Sequence, residues 1–223
     1  MGFVVQRFQP VLALLTLLLP LVISSPAPAQ EETGAPQRQI VAFGDSLSAG
    51  YGVGPGESFP EQLQAALREE GYDVTVTNAG VSGDTTSGGL SRLDWSVPEN
   101  ADLVIVELGA NDALRGVDPK ITRENLSKIL EQLNERGQTV ILAGMLAPPN
   151  MGEDYAERFN PIFPELAEKY DVTFYPFFLE GVAAEADLNQ ADKMHPNAEG
   201  VGVIVDNIMP TVTEALDSQP TEG

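Results

Sequence analysis

His195 is the only histidine in a chain of 223 residues, and Asp192 precedes it in the run Asp192-Lys193-Met194-His195-Pro196. At that spacing, in a turn or at the start of a helix, a carboxylate reaches an imidazole Nδ1. It then fixes the tautomer and leaves Nε2 free to accept a proton. Such a base needs something to activate. Ser46, in Gly44-Asp45-Ser46-Leu47-Ser48, is a candidate, because a serine hydroxyl is a poor nucleophile until a base takes its proton. Acyl transfer would also need donors for an oxyanion. Asn111, in Gly109-Ala110-Asn111-Asp112, offers a side-chain amide, and Gly80, in Asn78-Ala79-Gly80-Val81-Ser82-Gly83-Asp84, offers a backbone N–H that no side chain shields. The N–H of Ser46 would be a third donor. Each group also has a plainer reading. An Asp-x-x-His pair can sit on a surface, a serine after a strand is often a helix N-cap, and Asn and Gly are common turn formers. Gly44 permits a tight turn under either reading of Ser46. The motif is not Gly-x-Ser-x-Gly, so the nucleophile elbow of the α/β-hydrolases is absent.

Whether these groups meet depends on the elements that carry them. Short apolar runs alternate with amphipathic segments. Strands are predicted over 39–43, 74–76, 103–106, 139–142 and 172–175. A helix begins after Ser58, with Glu61 completing a capping box, and ends at Gly71. Others are predicted over 85–95, over 122–136 with Leu126, Ile129, Leu130 and Leu133 at helical spacing, over 155–170 with disturbance at Pro161 and Pro164, and over 198–216. The run Leu103-Val104-Ile105-Val106 is apolar throughout, as a strand covered on both faces should be. This alternation implies an α/β fold, a parallel sheet between two helix layers. Ligands in such folds bind beyond the carboxyl ends of the strands, and three of the polar loops follow strands one, two and three.

Composition narrows the functions further. The formal charge of −21 argues against a nucleic-acid partner. With no cysteine and one histidine, disulfides, thiolate metal sites and multi-histidine zinc sites are excluded, while a carboxylate site for a hard cation stays open. Arg7, the apolar run over 11–23 and Ala27-Pro28-Ala29 read as a secretory leader over 1–29. That run is shorter than the roughly 20 residues of a membrane-spanning helix. A polar leader over 30–37, one domain over 38–217 and a tail over 218–223 complete the expected organisation.

Two loops are candidates for an acyl pocket. Ala113, Leu114 and Arg115 follow Asn111, and Met145, Leu146 and Pro148 follow strand four. Leu114 and Met145 could equally pack in the core. Arg115 could meet an anionic head group, but pairing with one of the many carboxylates is the expectation here. Asp45 is expected to hydrogen-bond the loop beneath Ser46. Glu107 interrupts an apolar strand, and a buried carboxylate needs partners that the sequence does not name.

Taken together, the four blocks resemble the SGNH or GDSL hydrolases: Gly44-Asp45-Ser46-Leu47-Ser48, Gly80, Gly109-Ala110-Asn111-Asp112 and Asp192-Lys193-Met194-His195-Pro196 stand in family order. The stretches over 44–52, 107–116 and 175–179 resemble its secreted bacterial arylesterase, acyl-CoA thioesterase I and lysophospholipase subgroup. The resemblance implies a flavodoxin-like, three-layer α/β/α sandwich with a five-stranded parallel sheet in the order 2-1-3-4-5. It implies Ser46 as nucleophile, His195 as base, Asp192 as its orienting partner, and Ser46 N–H, Gly80 N–H and Asn111 as the oxyanion hole. It implies no metal and no organic cofactor. The expected partner is a small-molecule ester or thioester. The chain is expected to act as a monomer, without nucleic acid and without stable membrane insertion after leader removal. The alternatives are a carbohydrate O-acetylesterase, an acidic secreted binding module on a hydrolase fold, and a receiver-like domain with Asp45 as phosphoacceptor.

Overall fold

The structure, a computed structural model, describes residues 1–4 and 37–219. Residues 1–4 are exposed and without regular secondary structure. The expected secretory leader falls largely outside the described residues. All the helices and strands among the described residues lie within the unit Ala35–Gly223. The strands are β1 Arg38–Gly44, β2 Val74–Asn78, β3 Leu103–Glu107, β4 Thr139–Ala143 and β5 Thr173–Tyr175, and every pairing is parallel, in the order β2-β1-β3-β4-β5. The central strand β3 is buried at all of its residues, as a strand with helices on both faces must be.

The helices are α1 Ser46–Ala49, α2 Phe59–Glu69, α3 Thr86–Ser96, α4 Ala110–Leu114, α5 Pro119–Glu135, α6 Glu153–Phe159, α7 Ile162–Tyr170 and α8 Ala198–Asp217. On one side α2 packs against α8; on the other α5 packs between α3 and α7. The architecture is the expected three-layer sandwich. Glu61 takes the Ser58 N–H at 3.2 Å and the Ser58 hydroxyl at 2.5 Å, which fixes the start of α2. The helix expected over 122–136 starts earlier, because Asp118 caps the N–H of Lys120 and Pro119 occupies the first turn, where a missing N–H costs nothing. The single helix expected over 155–170 is two. The chain breaks at Asn160 and Pro161, whereas Pro164 lies in the first turn of α7 and is tolerated there.

Two features position the site. β1 leads to β2 on one side and its other neighbour is β3, so the strand order reverses between β1 and β3. This switch point opens a crevice at the carboxyl ends of those strands. The second feature is a pair of helices, α1 and α4, that begin at this crevice. Both are too short to show a periodicity in the sequence.

Candidate active site

Ser46 is the first residue of α1, and the cap is Asp45: its Oδ1 accepts the Leu47 N–H at 3.0 Å. The N-cap reading of Ser46 is thereby replaced, and its hydroxyl is free for other contacts. Ser46 Oγ lies 3.0 Å from Nε2 of His195, and Nδ1 of His195 lies 2.7 Å from Oδ2 of Asp192. Asp192 Oδ1 accepts the N–H groups of Met194 and His195 at 3.0 and 3.1 Å. The bond to His195, followed by these two backbone N–H groups, holds the Asp192 carboxyl down at about 2. It therefore stays ionised at neutral pH, with its charge on the Nδ1 side. The Tyr51 ring lies 4.5 Å from the imidazole, centroid to centroid.

Asn111 is the second residue of α4, which follows β3, and its Nδ2 donates to Asp45 Oδ2 at 2.8 Å. An amide carries two hydrogens, so one fastens the group and the other is available. Asp45 is wholly buried. Burial pushes its carboxyl up to about 6, while the Leu47 N–H and the Asn111 amide pull it down. As the pH falls through that value Asp45 takes up a proton, and Asn111 loses its charged acceptor.

Gly80 has a packing reason to be a glycine. A Cβ there would stand 2.3 Å from Ala49 N and 2.8 Å from Asp45 O, so the missing side chain admits the backbone of α1 and of its cap. Its N–H donates to Asn78 Oδ1 at 3.0 Å, and an oxyanion would have to share that donor. Gly44 likewise serves packing rather than a turn: a Cβ would fall 2.2 Å from Ser48 Oγ and 2.4 Å from Glu107 Oε2.

Glu107 gains its partners from this close approach. Its Oε2 accepts the N–H groups of Asp45 and Ser48, both at 3.2 Å, and the Ser48 hydroxyl at 2.9 Å. Its Oε1 is buried and has no partner among the described residues. Burial first, and then the neighbouring Asp45 charge, push the Glu107 carboxyl well above its usual range. A carboxyl raised by folding binds its proton more tightly in the folded than in the unfolded chain. It therefore favours folding most below its ordinary 4.5, and that contribution is lost as the pH rises through the folded value. Glu107→Gln keeps the acceptor and removes the charge. Urea unfolding at pH 5 and pH 8 should show a smaller loss of stability towards pH 8 in this variant than in the wild type. Parallel losses would refute the assignment.

Arg92, which no sequence motif singles out, ties the two loops together. Its guanidinium is buried against the Phe43 ring at 4.3 Å. It donates to Gly44 O at 2.8 Å, to Ala79 O at 2.8 Å and to Asp84 at 2.5 Å. The end of β1 and the residue before Gly80 are thus held by one side chain. Asp112, also buried, accepts from Thr86 N, Thr86 Oγ1 and Thr122 Oγ1 and fastens α4 to α3 and α5.

Ser46 and His195 lie on a cleft of about 780 Å³, within the usual range for small-molecule sites. Of the residues named for an acyl pocket, Leu114, Met145, Leu146 and Pro148 line it. Ala113 and Arg115 do not. With 110–114 helical, Ala110, Asn111 and Leu114 share the cleft face at positions one and four apart. Ala113 turns into the core, and Arg115 donates to Gly83 O at 2.7 Å instead of pairing with a carboxylate. Tyr51, Phe177, Leu179 and Met194 are also part of the lining. Phe177 and Leu179 follow β5 on the rim shared by the other loops, and that placement is the signal by which they could be found. Among the described residues no three His, Cys, Asp or Glu side chains gather to hold a metal ion, and no helix is long and apolar enough to cross a membrane.

A model of the GDSL-like lipase/acylhydrolase family matches residues 42–203. An arylesterase of Vibrio mimicus is 42% identical over 187 residues, covering 83% of this chain and 90% of the relative. The crystal structure of AlinE4, an SGNH-hydrolase family esterase, is 51% identical with a TM-score of 0.68, over 81% of this chain and 97% of that one. The thioesterase 1/protease 1/lysophospholipase L1 of Escherichia coli K12 is 36% identical over 168 residues, 75% of this chain and 79% of the relative.

Proposed function

The chain belongs to the GDSL-like lipase/acylhydrolase family and is a carboxylic ester hydrolase, and from that premise we propose that it acts through an acyl-enzyme on Ser46. The observation that carries the reading is the 3.0 Å approach of Ser46 Oγ to His195 Nε2, in a cleft lined mainly by apolar side chains. His195 Nε2 takes the hydroxyl proton as Oγ bonds to the carbonyl carbon. Asp192 holds Nδ1–H and balances the imidazolium charge. The carbonyl oxygen, now negative, is received by the Ser46 N–H, the second hydrogen of Asn111 Nδ2 and the Gly80 N–H. His195 returns the proton to the leaving alcohol or thiol, the carbon–heteroatom bond breaks, and the acyl group stays on Oγ. Water, deprotonated by the same nitrogen, then releases the acid.

The apolar lining favours acyl and aryl esters. It extends naturally to acyl thioesters and lysophospholipids, the substrate types in the name of the Escherichia coli relative. A carbohydrate O-acetylesterase would be served by a shallower, more polar site. A series of p-nitrophenyl esters of increasing chain length should show an optimum in kcat/KM, beyond which activity falls. Equal values at every length would remove the defined acyl pocket. The secretory reading of residues 1–29 belongs to the same proposal and places the mature enzyme outside the cytoplasm.

A further inference from the structure

Asp192 and His195 belong to one loop, so their bond orients the imidazole within that loop. It does not set the loop on the nucleophile. The loop closes on itself through Gln190 N–H to His195 O at 2.8 Å, Lys193 N–H to Gln190 O at 2.9 Å and an antiparallel bridge between Asn189 and Pro196. Its tip is exposed, and Lys193 holds a left-handed backbone at φ 61°. Something outside the loop has to fix its distance from Ser46.

The side chain of Gln190 makes that connection. Its Nε2 donates to Pro196 O at 2.9 Å, across the base of the loop, and to Tyr51 O at 2.7 Å, on the segment that leaves α1. Tyr51 in turn donates its own N–H to Ser46 O at 3.1 Å. A continuous chain of hydrogen bonds therefore runs from the Ser46 carbonyl through Tyr51 to one amide nitrogen, and through the Gln190 backbone to the His195 carbonyl. The Tyr51 segment is shaped for this approach. Gly52 has φ +77°, and a Cβ there would stand 2.1 Å from Gln190 Oε1.

We infer that Gln190 is a positioning residue that holds His195 at hydrogen-bond distance from Ser46, an inference that rests on the acyl-enzyme reading. Gln190 touches neither reacting atom. It acts by fixing the separation of two groups on different loops, and a displacement of about 1 Å between such groups can cost on the order of 100-fold in rate.

The test compares the full chain with Gln190→Met, which keeps the bulk and removes both donors, and Gln190→Glu, which keeps the shape and at neutral pH donates nothing. Both should lose about 100-fold in kcat on p-nitrophenyl butyrate. KM should stay within about twofold, because Gln190 is itself absent from the cleft lining. The rate of Ser46 labelling by a small serine-directed phosphonate, which needs Ser46 and His195 together but no acyl pocket, should fall with kcat. Labelled endpoints count the competent protein and correct for any misfolded fraction. Wild-type kcat in both variants overturns the inference. So does a loss shared equally with KM, an unchanged labelling rate, or failure of both variants to fold, which would make Gln190 a general stabiliser. Ser46→Ala, run alongside, tests the underlying reading separately: turnover in that variant ends the acyl-enzyme, whatever Gln190 does.

Discussion

The Ser46→Ala variant should hydrolyse p-nitrophenyl butyrate about 10⁴- to 10⁶-fold more slowly than the wild type, with its fold intact. The magnitude follows from the way such groups act as a unit. Removing the nucleophile leaves only oxyanion donors and binding, which sustain a residual rate far below the complete set. The fold should survive because other groups hold this corner in place. Asp45 caps α1, Glu107 accepts the N–H groups of Asp45 and Ser48, and Arg92 holds Gly44. The substitution takes away the 3.0 Å bond to His195 and leaves those braces standing. Steady-state kinetics with far-UV circular dichroism checks both halves, and turnover within tenfold of wild type would refute the nucleophile assignment.

Asp192→Asn should cost about 10⁴-fold in kcat. Asp192 accepts three hydrogen bonds, and the substitution falls on the one that matters for chemistry. Oδ1 accepts two backbone N–H groups that shape the loop, while Oδ2 accepts from Nδ1. An amide can keep its oxygen on the backbone side, where those two donors select it. Its NH₂ then faces Nδ1 and forces the proton onto Nε2, which can no longer receive the Ser46 proton. The carboxyl, held at about 2 by His195 and the two backbone N–H groups, is ionised across the working range. The loss should therefore appear at every pH from 5 to 9. A deficit that disappears above pH 8 would show instead that Asp192 only tunes the basicity of His195. KM should change little, since Asp192 is absent from the cleft lining.

Much of this is readable from particular residues. The run Leu103-Val104-Ile105-Val106 announces a doubly covered strand, and Ser58 with Glu61 announces a helix start. Three polar loops after successive strands predict a shared rim. Ser46, Asn111, Asp192 and His195 can be brought together on that argument because each stands next to a recognisable element. Other features lie beyond it. α1 and α4 span four and five residues, too few for a 3.6-residue period to show, and without α4 the outward face of Leu114 and the inward face of Ala113 cannot be told apart. Glu107, Arg92 and Gln190 act through partners 59, 48 and 139 positions away in sequence. Those partners are backbone atoms and one short hydroxyl, which leave no pattern in the sequence.

The order in which the site's parts occur along the chain has a consequence for timing. Ser46, Gly80 and Asn111 are translated long before His195, and the loop bearing His195 is followed by the 20 residues of α8, which pack on α2. On the proposed reading, a chain interrupted between residues 112 and 194 would have its nucleophile and donors but no base. A single domain folds as a unit, so on that reading hydrolytic competence would arrive last, when the final helix is made and docked. An unfinished chain would then carry the cleft's first three loops without the group that activates them.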